Sequence, residues 1–221
     1  FLTNVRDRGE EYGKINVRGN GTNAYLPFHN DKTDIIGLMC LHKARSGGAS
    51  SIVSAITIHN EILAKRPEYL GLLYSGFYYI IREQALTEKG VSDRPIPVFS
   101  YRDGVLSSRF LRNQINAGAV KRGIPFTKAE QAALDYFDEL TQRPDLHLAM
   151  DLQVGDIQFC NNYTVLHSRT GFVDGAETHE KRHMLRLWFK FPKPLQWPID
   201  EEYPPFDGYK LAPNASMRLE A

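Results

Sequence analysis

Short strand-like segments separated by turn residues are the feature of this sequence that most restricts its fold. They are rich in β-branched and aromatic residues and are mostly bounded by Gly, Pro, Asn or Asp, as is typical of β-strands. The segments are KINVRG, LPFHND, DIIGLMCLHKA, SIVSA, FYYIIREQ, IPVFSY, LAMDLQVGDIQFCNN and MLRLWFKF. In YRDGVLSSRF, the pair Asp103-Gly104 predicts a tight hairpin turn. Such a series of short strands predicts a β-sandwich or jelly roll rather than a doubly wound parallel sheet.

Two segments predict helices inserted among these strands. In TKAEQAALDYFDELTQ, Thr127 and Glu130 have the spacing of a capping box, apolar residues recur at helical spacing, and Pro144 follows the segment. A shorter helix is predicted to begin near Thr57 and to end before Pro67. The fold class that these patterns predict is mainly β with helical insertions.

Length and composition predict one large domain with its own hydrophobic core. The chain has 221 residues, of which 42% are hydrophobic, and we assign residues 1–221 to a single domain. The formal net charge is only +1 and no long basic run is present, which argues against nucleic acid as a partner. No segment approaches the ~18 consecutive apolar residues that a membrane span needs, so no membrane contact is predicted.

Two features bear on the cellular context of the chain. It begins FLTNVRDRGEEYGK, without an initiator methionine or a signal-peptide pattern, and we expect that the native N-terminal portion is missing. Cys40 and Cys160, the only cysteines, each lie in an apolar stretch and are predicted to be buried free thiols. Free thiols are typical of a reducing compartment, so we expect a cytoplasmic protein. The sequence leaves open whether the chain is a monomer or a homo-oligomer.

His29 and Asp31, in the segment YLPFHNDKTD, are the first candidates for a metal site. Residues two apart on a strand point to the same face, so their side chains can converge. Two ligands of this kind and one further imidazole make the 2-His-1-carboxylate triad of non-haem Fe(II) oxygenases. The pair alone is weak evidence, because a surface histidine beside a carboxylate produces the same pattern.

A third histidine and two arginines follow in the second half of the chain. His167 lies in the apolar segment TVLH, where a histidine is either a hydrogen-bonded core residue or a ligand. Arg182 and Arg186 are four residues apart in KRHMLRLWFKF and therefore face the same side of a strand. Inward-facing arginines need anionic partners, and a guanidinium binds a carboxylate through two hydrogen bonds, so a dicarboxylate is a natural ligand. A solvated edge strand is the alternative.

Taken together and in order, a set of motifs resembles the taurine dioxygenase/2,4-D dioxygenase family of Fe(II)- and 2-oxoglutarate-dependent oxygenases. The motifs are LPFHND, SGGASSIV, GDIQFCNNYTVLHSRTGF and RHMLRLWF, and the NNYTVLHSR portion also resembles the γ-butyrobetaine hydroxylase branch. The resemblance runs from about Tyr25 to Phe191. It implies a double-stranded β-helix, which is a jelly-roll core whose open end holds the iron.

The resemblance also implies roles for individual residues. His29, Asp31 and His167 fall on the iron ligands, and all three are expected to be catalytic. Arg182 falls on the arginine that binds the distal carboxylate of 2-oxoglutarate.

Three further residues have less specific matches. Ser50 falls where the family uses a hydroxyl group to support 2-oxoglutarate, with Ser51 as the alternative. Arg186 matches a second arginine, which contacts either the co-substrate or an anionic substrate group; its alternative role is a structural ion pair. Arg169 is expected either to orient the site or to form a structural salt bridge.

The implied activity is oxidation, and above all hydroxylation, of an unactivated C–H bond in a small-molecule substrate. O2 is consumed, and 2-oxoglutarate is decarboxylated to succinate and CO2. An anionic substrate is favoured if the co-substrate does not fully occupy Arg186. The alternatives are a cupin-like metal protein that uses the same three ligands without 2-oxoglutarate, and a non-catalytic sensor on the same barrel. A zinc hydrolase is disfavoured because the sequence contains no HExxH-like helix.

Overall fold

A computed structural model of the chain describes residues 2–13, 17–81 and 90–191. The strands are β1 Leu2–Val5, β2 Leu26–His29, β3 Ile35–His42, β4 Ser46–Gly47, β5 Ser50–Ser54, β6 Phe99–Arg102, β7 Val105–Ser108, β8 His147–Met150, β9 Ile157–Asn161, β10 Val165–Arg169, β11 Phe172–Val173 and β12 His183–Phe189. The helices are α1 Ala55–Lys65, α2 Glu68–Ser75, α3 Arg112–Arg122 and α4 Lys128–Gln142. Mainly β structure with helical insertions is therefore confirmed.

Two antiparallel sheets form the barrel. The first has the strand order β1-β12-β3-β9 and the second the order β2-β10-β5-β8. Residues of both sheets line one cavity, among them Leu38 and Arg186 from the first sheet and His29 and His167 from the second. The two sheets therefore face each other across this cavity, and strand alternation decides which side chains point into it.

The main hydrophobic core lies on the other side of the second sheet. Phe28, Val53 and Leu166 extend from its strands into a cluster that the helices complete. Within that cluster, Phe110 stacks on Phe137 of α4, with ring centroids 4.0 Å apart. The second sheet is thus held between the helices and the cavity, which fixes the backbone that carries the cavity side chains.

Several local predictions are confirmed. The hairpin of β6 and β7 turns at Asp103 and Gly104, both of which have positive φ angles, of 51° and 80°. Thr127 caps α4, and its side chain and that of Glu130 form the reciprocal hydrogen bonds of a capping box. Both cysteines are free and buried. No helix in residues 2–13, 17–81 and 90–191 is long and apolar enough to cross a membrane.

Other predictions are wrong or fall partly outside the described residues. The shorter predicted helix is present as α1 and ends before Pro67 as predicted. It begins at Ala55, slightly earlier than predicted, because the side chain of Ser54 accepts a hydrogen bond from the Thr57 amide and caps it. Helices α2 and α3 were not predicted at all. KINVRG forms no strand at positions 17 and 18, and residues 14–16 are not described. Of FYYIIREQ, Phe77 and Ile80 form only isolated bridges, and residues 82–89 are not described.

Candidate functional site

Three residues that line the cavity come together and are called the His-Asp-His cluster below: His29, Asp31 and His167. Each offers one ligand atom, and these atoms lie within 4.8 Å of one another. His29 is directly opposite His167 because β2 and β10 are antiparallel neighbours, and their ring centroids are 4.4 Å apart. The Nε2 atom of His29 is 3.8 Å from Oδ1 of Asp31. Strand pairing has therefore joined residues that are distant in sequence.

Asn30 fixes the backbone between the two N-terminal members of this cluster. It is fully buried, and its backbone amide donates to the carbonyl of Phe110 over 3.1 Å. Its side chain accepts from the Phe110 amide over 2.8 Å and donates to the carbonyl of Val165 over 3.0 Å. The next amide, that of Asp31, donates to Oδ1 of Asn162 over 3.0 Å. These bonds hold the segment in one conformation.

The two imidazoles are oriented differently. Nδ1 of His29 is 2.8 Å from the carbonyl oxygen of Pro27, and as donor to that oxygen it leaves Nε2 with a lone pair that faces Asp31. His167 is only 7% exposed, and its Nδ1 atom is buried without a partner among the described residues. Burial, with smaller contributions from the positive charges of His29 and Arg186, lowers the pKa of His167 to about 3. His167 is therefore a neutral imidazole and not a hydrogen-bonded core residue.

Asp31 is buried as a carboxylate between two donors from β12. Its Oδ2 atom accepts hydrogen bonds from Nε1 of Trp188 over 3.0 Å and from Nη1 of Arg186 over 3.4 Å. Burial is the largest influence on its pKa and raises it, but the charges of Arg186 and the two imidazoles and the Trp188 hydrogen bond together leave the pKa below its usual value. Oδ2 accepts both of these hydrogen bonds, and the other oxygen, Oδ1, is 3.8 Å from Nε2 of His29.

Arg182 and Ser50 line the same cavity. Arg182 is 5% exposed, its Nη1 atom is buried without a hydrogen-bonding partner, and no carboxylate of the described residues forms an ion pair with it. Burial lowers its pKa to about 10. Gly48, with φ of +78°, makes room for this side chain, because a Cβ atom there would lie 2.9 Å from Cδ and Nε of Arg182. The cavity thus contains a buried cation that lacks an anion.

Arg169 is a second buried guanidinium close to Arg182. Its Nη2 atom donates to the carbonyl of Thr22 over 2.9 Å and also to that of Ala24, and its guanidinium lies 4.8 Å from the ring centroid of Phe172. Burial, together with the charge of Arg182, lowers its pKa to about 10. The salt bridge that was one alternative for Arg169 does not form with any described carboxylate. The residue instead links the end of β10 to the loop that precedes β2.

The cavity around these residues has a volume of ≈ 180 Å³ and a mostly basic set of charged side chains. Asp31 is the only acidic residue among the described residues that line it. The basic lining residues are Arg18, Lys32, Arg112, Arg169, Arg182 and Arg186. Sequence reasoning missed Trp188 and Gln114, which also line the cavity. Trp188 could have been found from its even spacing to Arg186 on β12, whereas Gln114 lies on the unpredicted helix α3.

Comparison with known proteins agrees with this geometry. The family model described as "Taurine catabolism dioxygenase TauD, TfdA family" matches residues 2–188. FR-33289 synthase of Streptomyces rubellomurinus is 36% identical over 203 residues, which are 89% of this chain and 59% of the relative. The taurine hydroxylase-like protein SAT17 of Stachybotrys chartarum is 30% identical over 171 residues, which are 74% of this chain and 42% of the relative. The chain thus spans roughly half the length of these curated relatives.

Solved structures show the same fold at low sequence identity. Asparagine oxygenase in complex with Fe(II), 2S,3S-3-hydroxyasparagine and succinate matches with a TM-score of 0.63 and 18% identity, over 85% of this chain and 56% of that one. The non-haem iron oxygenase OrfP in complex with Fe and alpha-ketoglutaric acid matches with a TM-score of 0.60 and 14% identity, over 86% and 56%. The predicted jelly-roll core is confirmed by these matches. With a family match that spans residues 2–188, the chain belongs to the taurine catabolism dioxygenase TauD, TfdA family.

Proposed function

We propose that the protein is an Fe(II)- and 2-oxoglutarate-dependent dioxygenase. It oxidises, by hydroxylation, an unactivated C–H bond of a small-molecule substrate while 2-oxoglutarate is converted to succinate and CO2. The observation that carries this proposal is the presence, in one cavity, of the His-Asp-His cluster and of a buried Arg182 without an anion. Family membership supports the same reaction class.

The donor atoms of the cluster suit Fe(II). Two imidazoles and one carboxylate, with open positions for other ligands, are the donor set of non-haem Fe(II) oxygenases. The Pro27 carbonyl fixes the tautomer of His29, and Trp188 and Arg186 hold the carboxylate of Asp31. Such outer hydrogen bonds orient metal ligands and tune their basicity. The residues present therefore fit an iron centre formed by His29, Asp31 and His167.

The surroundings of Arg182 in the cavity suit the distal carboxylate of 2-oxoglutarate. A carboxylate is the partner that the buried guanidinium of Arg182 lacks, and a charge-assisted hydrogen bond between them would offset the cost of burying both groups. Ser50 also lines this cavity and is 4% exposed, so its hydroxyl group is a candidate donor to the same carboxylate. We assign Arg182 and Ser50 to this carboxylate.

Arg186 is assigned a different role from Arg182. Its ion pair with Asp31 positions the carboxylate ligand, which corresponds to the structural alternative considered for this residue. Its Nε atom is buried and has no hydrogen-bonding partner, so the same guanidinium also has a donor left for a bound anion. This donor and the mostly basic lining of the cavity favour a small anionic substrate.

The protein supplies positioning and exclusion of water to the reaction. Fe(II) with 2-oxoglutarate supplies the O2 activation that an unactivated C–H bond requires. The paired sheets hold the cluster in the wall of the cavity, and Asn30 and Asn162 hold the ligand segment in one conformation. The two free thiols favour a reducing, cytoplasmic location.

Anaerobic addition of Fe(II) and 2-oxoglutarate to the purified chain tests the proposal. We expect a weak visible absorption band that requires both additions and disappears with EDTA. Succinate should then form once O2 and a substrate are supplied from a panel of small carboxylates, sulfonates and phosphonates. Folded protein that binds Fe(II) but never gives the band would instead support the cupin-like alternative. A band without succinate from any substrate in the panel would support the non-catalytic sensor.

A further inference from the structure

Gln114, on the first turn of α3, has a buried side-chain amide that makes no hydrogen bond with any described residue. The residue is 6% exposed and lines the cavity that contains the His-Asp-His cluster. Its Oε1 atom is fully buried without a partner, and its side chain donates no hydrogen bond to any described residue. An unsatisfied buried polar group costs about 1–3 kcal/mol. This cost makes a ligand that satisfies the amide the natural explanation for a glutamine at this position.

The start of α3 offers further unused donors next to Gln114. Its N-cap residue, Leu111, makes no capping side-chain hydrogen bond. The first intrahelical bonds run from the amides of Gln114 and Ile115 to the carbonyl of Leu111, so the amides of Arg112 and Asn113 are left without an acceptor among the described residues. Leu111, Arg112 and Asn113 line the same cavity as Gln114. Two backbone donors and one side-chain acceptor therefore belong to the first turn of the same helix, in residues that line the cavity.

This region has a fixed position relative to the metal cluster. Asn30, which lies between His29 and Asp31, makes two hydrogen bonds with Phe110, the second residue before α3. Its backbone amide donates to the Phe110 carbonyl, and its side-chain oxygen accepts from the Phe110 amide. The first turn of α3 is consequently tethered beside the ligand strand β2. A molecule bound at Gln114 would occupy the cavity that the cluster also lines.

We propose that Gln114 and the first turn of α3 bind an amide group of the primary substrate and thereby select the substrate. The carbonyl oxygen of that amide accepts from the backbone amides of Arg112 and Asn113, which lie at the positive end of the helix dipole. Its N–H group donates to Oε1 of Gln114. The substrate class is therefore a small molecule with an N-acyl or carboxamide group. That the molecule bound here is the one oxidised at the cluster rests on the proposed function.

The stability of a Gln114→Met variant provides the first test. Methionine has a similar length and no hydrogen-bonding groups to satisfy, so the ligand-free variant should melt at the same temperature as the wild-type chain or above it. Loss of a structural hydrogen bond would lower the melting temperature by several degrees instead. A melting temperature clearly below that of the wild type would therefore overturn the proposal.

Binding of small probes provides the second test. The full chain is ¹⁵N-labelled, supplied with Zn(II) as a diamagnetic substitute for Fe(II), and titrated with N-methylacetamide or with methyl acetate, which lacks the N–H group. The side-chain NH2 signal of Gln114 reports on occupancy. We expect about tenfold tighter binding of the amide than of the ester, as befits one buried neutral hydrogen bond.

A matched pair of variants locates the preference. Gln158, on β9, is another buried glutamine of the same cavity. Its Oε1 atom also lacks a partner among the described residues, but its Nε2 atom donates to Sγ of Cys160 over 3.2 Å and it lies away from α3 in the chain. Gln158→Met should keep the tenfold preference. Gln114→Met should reduce the preference to less than twofold. Equal binding of the two probes by the wild-type chain, no saturable binding of N-methylacetamide, or loss of the preference in Gln158→Met but not in Gln114→Met would each overturn the proposal.

The same samples separate this proposal from the proposed function. Binding of 2-oxoglutarate is measured by calorimetry on each protein, and Gln114→Met should leave its affinity unchanged. A chain that prefers the amide probe but does not bind 2-oxoglutarate would refute the dioxygenase and leave the amide site standing. A chain that binds 2-oxoglutarate but shows no amide preference would refute only the role of Gln114.

Discussion

Replacing Arg182 with alanine tests the assignment of the co-substrate most directly. The guanidinium is 5% exposed and has no anionic partner among the described residues, so a carboxylate bound there would be buried with it. Removing one partner of a buried charge pair costs about 3–5 kcal/mol, because the other charge is left uncompensated. Since about 1.4 kcal/mol is a factor of ten, Arg182→Ala should weaken 2-oxoglutarate binding on the order of 10²- to 10³-fold.

Calorimetric titration of 2-oxoglutarate into the Fe(II)-loaded chain under anaerobic conditions measures this change. Arg182→Lys keeps the charge but loses the two-pronged donor, so its affinity should lie between those of the wild type and the alanine variant. The ligand-free Arg182→Ala protein should be at least as stable as the wild type, because an uncompensated buried cation has been removed. Stability thus separates loss of binding from misfolding.

Arg112→Ala is the matched control, because Arg112 also lines the cavity but its guanidinium is already satisfied. It donates to Asp135 over 2.7 Å and to Asp138 over 2.8 Å. Its replacement should leave the 2-oxoglutarate affinity within about threefold of the wild type, even if stability falls through loss of two partly exposed ion pairs. The reasoning would be refuted if Arg182→Ala bound 2-oxoglutarate as tightly as Arg112→Ala.

Two further predictions concern the neighbours of these groups. Gly48→Ala should weaken 2-oxoglutarate binding at least about tenfold by displacing Arg182, whereas Gly104→Ala, with a similar positive φ and open space around the new Cβ, should cost only about 1–2 kcal/mol of stability; equal affinities in calorimetry would contradict this. Asp31→Asn should reduce Fe(II) affinity by at least about 100-fold, the upper end of what loss of an outer-sphere partner costs. Its iron content after dialysis measures the loss, and iron retained at the wild-type level would count against Asp31 as a ligand.

Strand alternation explains why much of the site could be predicted from the sequence. Side chains on a strand alternate between its two faces, so a few neighbouring residues suffice to predict which of them share a face. This alternation predicted that Arg182 and Arg186 face the same side, and both line the cavity. The capping box of α4 is likewise a signal contained within a few residues. The pairing of His29 with His167 is different, because no local pattern states which strands become neighbours. It was available only through the resemblance of ordered motifs to a known family.

Helix α3 explains why the rest could not be predicted. Its sequence, RNQINAGAVKR, has no side-chain cap and no continuous apolar stripe, and only Gln114, Ile115 and Gly118 are buried. Gly118 is there because the helix approaches the backbone of Tyr78, where a Cβ atom would lie 2.3 Å from the carbonyl oxygen. Tertiary contacts, and not helical propensity, hold this segment in place. A residue that acts only through such a helix, as we propose for Gln114, leaves no readable pattern.

Arg182 and Gln114, two of the residues with unsatisfied polar atoms in the cavity, call for ligands of different chemistry. Arg182 is a cation, so the partner that it lacks is an anion. In a protein that used the metal cluster without a carboxylate co-substrate, no ligand would offset the desolvation free energy of this buried charge. Gln114 is neutral and lacks a donor for its oxygen, so an anion alone does not satisfy it. One ligand that met both needs would have to carry a carboxylate and an amide, and 2-oxoglutarate has no amide. Two separate molecules, a dicarboxylate held at Arg182 and an amide held at α3, therefore account for these two groups better than one, and a cavity that binds two ligands beside a metal cluster is what the proposed oxygenase with a co-substrate requires.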